Sequence, residues 1–324
     1  MLGAHHNDKE ETAVGDSIDL VRLNFNPQAQ LGLNAVLALV MFGIALDLKV
    51  ADFKSALRTP KALAIGLFSH HLLFPAFTYL LVLLVRPAPS IGLGMLLVAS
   101  CPAGHISNFF THRARGNTEL SVSISTLSML TSIVMTPLNV SFWASQDAQM
   151  GALLRSFSLD QLHMLGDIAM LLGLPLAAGM LIANRLPGFA KKAHGPMRMF
   201  SLLVLVGFVA GALALNWAIF REYARFVVFV VLVHNALALA GGYGFARAAG
   251  LAERDRRSVA FETGIQNSGL GLVLVFNFFD GLGGMAIVTA WWGIWHIVAG
   301  MSLSTYWMKR PPAPAPSAAV AGQA

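Results

Sequence analysis

Two stretches decide how this chain is read: Cys101-Pro102-Ala103-Gly104-His105-Ile106-Ser107-Asn108 and Glu262-Thr263-Gly264-Ile265-Gln266-Asn267-Ser268-Gly269. Each interrupts an apolar run long enough to cross a bilayer. Pro102 removes a backbone donor and Gly104 loosens the turn, so an uninterrupted helix is not expected there. The second stretch has two glycines within a run of polar side chains. Lipid offers nothing to pair with freed backbone groups, so a broken helix survives only where protein or a wet cavity surrounds it. Taken singly, the first stretch also reads as a proline kink and the second as a polar helix-packing seam. That each is the most polar part of its own helix favours a shared polar centre.

Composition supports the lipid setting. The chain has 324 residues, 56% hydrophobic and 12% charged, with mean hydropathy +0.65. Soluble domains carry about a quarter charged residues, and a chain of this size has too little polar surface here to cover itself in water. These figures set aside soluble enzymes, nucleic-acid modules and disulfide-rich secreted domains. The net charge of +6 has no basic face behind it, so nucleic acid is not expected as a partner. Cys101 is the one cysteine, which excludes an internal disulfide and a thiolate metal cluster. Residues 1–28 hold Asp8, Lys9, Glu10, Glu11, Asp16 and Asp19 without an apolar stretch, and read as a solvated polar arm rather than a cleavable signal. Residues 311–324 form a Pro/Ala-rich tail expected to be disordered. The transporting unit is expected over 29–310.

Nine apolar spans are predicted, at 31–47, 62–85, 91–110, 120–144, 162–183, 199–219, 226–246, 259–279 and 285–308. They are continuous runs rather than ten-residue alternations, which predicts an all-α membrane bundle and disfavours a barrel. Alternate links divide the Lys and Arg residues 16 against 6, the richer set including Lys49, Lys54, Arg58, Lys61, Arg254, Arg256 and Arg257. That bias predicts a multi-pass protein of the plasma (inner) membrane, N-terminus outside and C-terminus cytoplasmic. The interrupted spans, third and eighth, cross in opposite senses, as inverted-topology repeats require, and paired interruptions point to a transporter's binding site.

The chemistry of that site follows from residue types. A carboxylate at Glu262 is costly inside a membrane, about 2.5–3.5 kcal/mol at a helix centre, and persists beside a cation or compensating donors. Ser107, Asn108, Gln266 and Asn267 offer hard oxygen ligands, suited to a hard cation and poor for zinc or copper. Ser121 and Ser125 are one turn apart on one helix face. The half-helix starting near Ser107 aims its backbone donors inward, a favourable end for an anion. A cation place beside an anion place is the arrangement of a coupled organic-anion carrier.

The string CPAGHISN, followed by THRARGNTELSVSIST and PLNVSFW, resembles the bile acid:sodium symporter family, as do FETGIQNSGLGLVL and LALVMFGIALDLK. The resemblance implies a nine-helix carrier with two crossing broken helices, a panel of spans 1, 5 and 6, and a core of spans 2–4 and 7–9. It implies a first sodium site at Ser107, Asn108, Ser121, Ser125 and Glu262. A second would use Glu262, Gln266 and the backbone carbonyls of Thr263 and Ile265, with His70 standing where the family usually has Gln. A neutral imidazole is a poor sodium ligand, whereas a protonated one replaces the cation's charge, so this second site is expected to be altered or proton-linked. The resemblance also places His105, Asn267 and His296 beside the substrate, with His105 where Thr is common and Ile297 in place of a familiar Asn.

The expected activity is sodium-coupled import of an organic anion, bile-acid-like or a small carboxylate, by alternating access. Na+ is the one metal expected, and no obligatory protein partner is evident. The alternatives are an arsenite or small-oxyanion carrier of related fold, for which Cys101 would matter, and a proton-linked carrier using His70. An intramembrane metalloenzyme built on His70, His105 and Glu262 lacks any supporting spacing. His71 and His234 read as packing residues, the latter bonded to a neighbouring helix, and Asp167 as an interfacial or panel residue. Asp47 and Lys49 mark the rim of span 1. Trp291, Trp292 and Trp295 read as an aromatic belt or lipid-facing bulk.

Overall fold

The computed structural model describes residues 18–22, 59–157, 169–215 and 217–312, with residue 166 and scattered positions between 32 and 46. Asp47, Lys49, Asp167 and the tail from residue 313 lie outside the described residues. Among the described residues the chain is helical, with two isolated antiparallel bridges and no strand.

The first long helix, α1, runs over Pro60–Val85. It carries a π-helical turn at Ser69–Leu73, immediately before Phe74-Pro75. Pro75 has no N–H for the carbonyl four residues back, and that carbonyl, on His71, instead accepts from Asn139 Nδ2 at 2.9 Å. A second π turn, Ala169–Gly173, precedes Leu174-Pro175 in the same way. Wide turns of this kind re-aim the side chains they carry, here His70 and His71.

Helix α2 (Pro89–Ser100) gives way at Cys101, and α3 (Ile106–Arg113) begins five residues later. Asn117 caps α4 (Thr118–Ser145) by accepting from Leu120 N at 3.2 Å. A short helix, α5 (Ala148–Ser156), occupies the link between the fourth and fifth predicted spans, capped by Asp147. Then come α6 (Leu174–Arg185), α7 (Pro187–Leu215) and α8 (Trp217–Ala248). The predicted link around residues 185–198 is therefore largely helical, because Pro187 suits a first turn. The chain continues with α9 (Glu253–Gly264), α10 (Ser268–Phe278) and α11 (Gly283–Met308).

Among the described residues, four segments are long and apolar enough to cross a membrane: Pro60–Val85, Thr118–Ser145, Phe220–Ala248 and Gly283–Met308. Helices α2 and α10 are apolar but shorter. The dense body of the bundle is formed by α1–α4 with α8–α11: α8 lies along α9, and α11 lies along α2 and α10. Helices α6 and α7 pack on each other, with the turn before α6 on α4. Gly179 of α6 leaves just enough room for Ala45 and the Phe42 carbonyl.

Two expectations change. The polar arm is not solvated throughout: Ile18 is fully buried, Asp19 Oδ1 accepts from Ser90 N at 2.8 Å, and Val21 O accepts from Gly283 N at 2.9 Å. Residues 18–22 thus supply partners to the first turns of α2 and α11, whose N–H groups have none within their helices. Trp292 is not belt or lipid-facing bulk but core, fully buried edge-on to His234 at 4.7 Å and 6.0 Å from Phe74. His234 and Thr78 bond at 2.6 Å, and Thr78 Oγ1 itself donates to Phe74 O at 2.8 Å. The histidine therefore donates through Nε2, holding α8 to α1 as the packing reading expected.

Candidate functional site

The two interruptions meet. Ala103 and Gln266 form an antiparallel bridge, with Gly104 N donating to Ile265 O and Asn267 N to Pro102 O, both at 2.8 Å. These two bonds join the extended links of the α2–α3 and α9–α10 segments. Four helix ends converge there: the C-terminal ends of α2 and α9, and the N-terminal ends of α3 and α10.

Helix ends leave carbonyls without partners, and in an apolar interior each must be satisfied. Here Ser100 O accepts from Thr136 Oγ1 at 2.6 Å, Gly264 O from Asn235 Nδ2 at 2.7 Å, and Thr263 O from Gln266 Nε2 at 2.8 Å. Two further carbonyls fall to one ring: His70 Nδ1 lies 2.9 Å from Glu262 O, and Nε2 3.1 Å from Cys101 O. Both partners are acceptors. A neutral imidazole has one N–H and one lone pair, so it donates to only one of them, whereas the doubly protonated ring donates to both. The ring also sits where two helix C-termini present negative dipole ends. His71, its neighbour, turns away to Thr131 Oγ1 at 2.7 Å.

Two residues before the end of α9, Glu262 is fully buried. Its Oε1 accepts from Ser107 Oγ at 2.6 Å and from Ser121 Oγ in a short hydrogen bond, while Oε2 has no hydrogen-bond partner. Around it, Asn108 Oδ1 and Ser121 Oγ are 2.8 Å apart, and Asn108 Nδ2 reaches Ser125 Oγ at 3.2 Å. The fully buried Oε1 of Gln266 also lacks a partner. Among the described residues the one other buried formal charge is Arg257, and it bonds elsewhere. A carboxylate surrounded by hydroxyl and amide oxygens suits a hard monovalent cation, because oxygen ligands match it and no fixed cation competes. The hydroxyls that donate to Oε1 keep lone pairs for such an ion.

The candidate anion side uses the helix starts. His105 is the residue before α3, and Asn267 is the N-cap of α10, its Oδ1 accepting from Leu270 N at 3.1 Å. His296 lies in α11 and is nearly buried, its Nδ1 without a partner. It follows by one turn Gly293, which sits against Ser268 Oγ.

The sequence missed several participants. Ser69 Oγ meets Thr263 Oγ1 at 2.9 Å, Ser128 Oγ accepts from Ala103 N at 3.2 Å, and Thr111 Oγ1 lies 3.1 Å from Ser121 Oγ, whose one proton goes to Glu262. A signal was present for Ser128, since Ser121, Ser125, Ser128 and Ser132 recur at helical spacing on one buried face of α4.

Apolar helices interrupted at a shared, buried oxygen-rich centre are arranged as in a membrane transporter. The chain belongs to the Sodium Bile acid symporter family, which it matches over residues 34–222. It is 29% identical over 276 residues to the uncharacterized sodium-dependent transporter YocS of Bacillus subtilis (strain 168), covering 85% of this chain and 82% of that one. It is 29% identical over 279 residues to the probable sodium/metabolite cotransporter BASS1, chloroplastic, of Arabidopsis thaliana, covering 85% and 66%. With the human ileal sodium/bile acid cotransporter it shares 27% over 278 residues, covering 83% and 76%. Sodium-coupled transport by an integral membrane protein is the activity this membership supports.

Proposed function

We propose that this protein is a sodium-coupled symporter that imports an organic anion by alternating access. Its nine spans would form an inverted repeat in which α2–α3 and α9–α10 are the crossing broken helices. The core would comprise α1–α4 and α8–α11, and the panel the first span with α6 and α7. The bundle would sit in the plasma (inner) membrane, N-terminus outside and C-terminus cytoplasmic, with the poorly connected pair α6 and α7 as the surface against which the core rocks.

The observation that carries this reading is Glu262, buried with one carboxylate oxygen unpaired among Ser107, Asn108, Ser121 and Ser125. A sodium ion there would neutralise it, and the electrical driving force adds about 2.3 kcal/mol per charge per 100 mV. The N-terminal ends of α3 and α10 supply the complementary positive ends for a carboxylate, flanked by His105, Asn267 and His296. The substrate would be a small carboxylate or a bile-acid-like anion. In proteoliposomes, uptake of such an anion should require an inward sodium gradient and fail when potassium replaces sodium. A thermal-shift screen of organic anions in sodium and in potassium identifies the class.

A second cation place, formed by Glu262, Thr263, Ile265, Gln266 and His70, would be altered. His70 bonds two helix-end carbonyls that a cation would otherwise serve, a place that a doubly protonated ring would fill with donors to both, leaving one sodium per cycle. Uptake by the natural protein should therefore respond to a proton gradient as well as to sodium. His70→Gln should remove the proton response and raise the sodium Hill coefficient from about one toward two, since two ions would then act together. Strict two-sodium coupling, insensitive to pH, in the unsubstituted protein rejects this part.

Cys101 is fully buried with its sulfur near Gly271, packed rather than presented to a ligand. Cys101→Ser should leave uptake near the starting rate. Abolition would favour the small-oxyanion carrier instead.

A further inference from the structure

Seven residues beyond Ser107 along α3, and five before Glu262 along α9, a single guanidinium joins the far ends of the helices that bear the candidate cation place. Arg257 is 4% exposed. Its NH1 donates to Ala114 O at 2.7 Å and Trp307 O at 3.2 Å, its NH2 to Arg310 O at 2.8 Å, and its Nε to Glu253 Oε1 at 2.9 Å. The group also lies 5.4 Å over the Trp307 ring. Three of these acceptors are carbonyls at or just past the C-terminal ends of α3 and α11, where the negative ends of the helix dipoles lie, and of them Trp307 O also accepts from Arg310 N at 3.0 Å.

The planar fork of arginine reaches several acceptors in fixed directions, which an ammonium does not. It therefore ties the C-terminal ends of α3 and α11 to α9. At the other end of the same two helices, Ser107 Oγ donates to the Glu262 carboxylate across 2.6 Å. The separation there is as short as a charge-assisted hydrogen bond gets, so a small pivot of α3 opens it. A rise of about 1.5 Å per residue places the guanidinium's attachment on α9 only about 7–8 Å from Glu262.

We propose that Arg257 is a positioning residue for the coupling ion: it holds α3 against α9 so that Ser107 and Asn108 face Glu262 at ligating distance. This rests on the reading of Glu262 as the sodium place. It takes no part in substrate binding, which uses the opposite ends of α3 and α10.

The test compares Arg257→Lys with Arg247→Lys, the same exchange at an exposed arginine near the end of α8, outside the clamp. Two quantities are read in the full-length protein: the sodium concentration for half-maximal uptake, and the rise in melting temperature on adding sodium chloride in place of potassium chloride. Arg257→Lys should raise the half-maximal sodium concentration about ten-fold, the scale of a lost hydrogen bond to a charged group. It should shrink the sodium-induced rise in melting temperature and leave the substrate KM at saturating sodium within about two-fold. Arg247→Lys should match the starting protein. Trp307→Leu keeps the carbonyl but removes the ring beneath the guanidinium. It should shift sodium dependence in the same direction by about three-fold, the worth of a modest cation–π contact, and serves if Arg257→Lys is not recovered from the membrane. Unchanged sodium dependence in whichever variant is recovered, or sodium and substrate constants moving together, overturns the proposal. If the unsubstituted protein shows no sodium-induced rise, the reading of Glu262 fails first, and that is visible before any variant is made.

Discussion

Glu262→Gln should abolish sodium-stimulated uptake, by at least about a hundred-fold, while leaving the protein folded in the membrane. The expectation follows from charge. Gln keeps the shape and one oxygen, so Ser107 and Ser121 retain an acceptor for the bonds they now give Oε1. What disappears is the negative charge opposite the ion. Removing one partner of a buried charge pair typically costs about 3–5 kcal/mol, or two to four decades in ion affinity. A second readout separates this loss from misfolding. Without sodium, a buried carboxylate with Oε2 unpartnered is itself a cost, which the amide relieves. In sodium-free buffer the variant should therefore melt no lower than the unsubstituted protein, and adding sodium should not raise its melting temperature. A variant that still concentrates substrate on a sodium gradient would remove Glu262 from the site.

Gly104→Val should be nearly as severe for a different reason. A Cβ at Gly104 would lie 2.9 Å from the carbonyl oxygen of Gln266 and 3.2 Å from its carbon. Both obstacles are backbone, and neither can retreat without breaking the bonds of Gly104 N to Ile265 O and Asn267 N to Pro102 O. Overpacking of this kind costs about 1–3 kcal/mol for small additions. Gly104→Ala should lose most uptake and Gly104→Val essentially all of it, with the sodium-induced rise in melting temperature falling in step. Uptake by Gly104→Val at the starting rate would mean that the two links do not need this approach.

The positions of the two junction links could be read directly, because Pro, Gly and clustered polar residues stand out within apolar runs. The face shared by Ser121 and Ser125 followed from spacing alone. Its meeting with Glu262, 141 residues from Ser121, had no local signal and came only from family resemblance. Other features were hidden for identifiable physical reasons. Each π turn is imposed by a proline just downstream, at Pro75 and Pro175, which reads equally well as a kink until the wide turn is seen. His70 bonds two backbone carbonyls, and such partners have no residue type to recognise. Arg257 sat among the loop arginines that set orientation, although it is buried and they are largely not. Ile18 and Trp292 were misplaced because the sequence does not show which apolar side chain faces protein and which faces lipid. The span limits moved for a related reason, since helices α7 and α8 run past their apolar stretches.

The pairing of Ala103 with Gln266 leaves the polypeptide around the ion and the polypeptide around the anion as one stitched piece. In the proposed cycle neither ligand needs a relay to sense the other, for whatever either does to the seam, the other inherits. Thermodynamic linkage then makes the influence mutual: the factor by which sodium tightens the grip on substrate is the factor by which substrate tightens the grip on sodium. Leak of one without the other would be suppressed by the same two hydrogen bonds that close the gap between the helices.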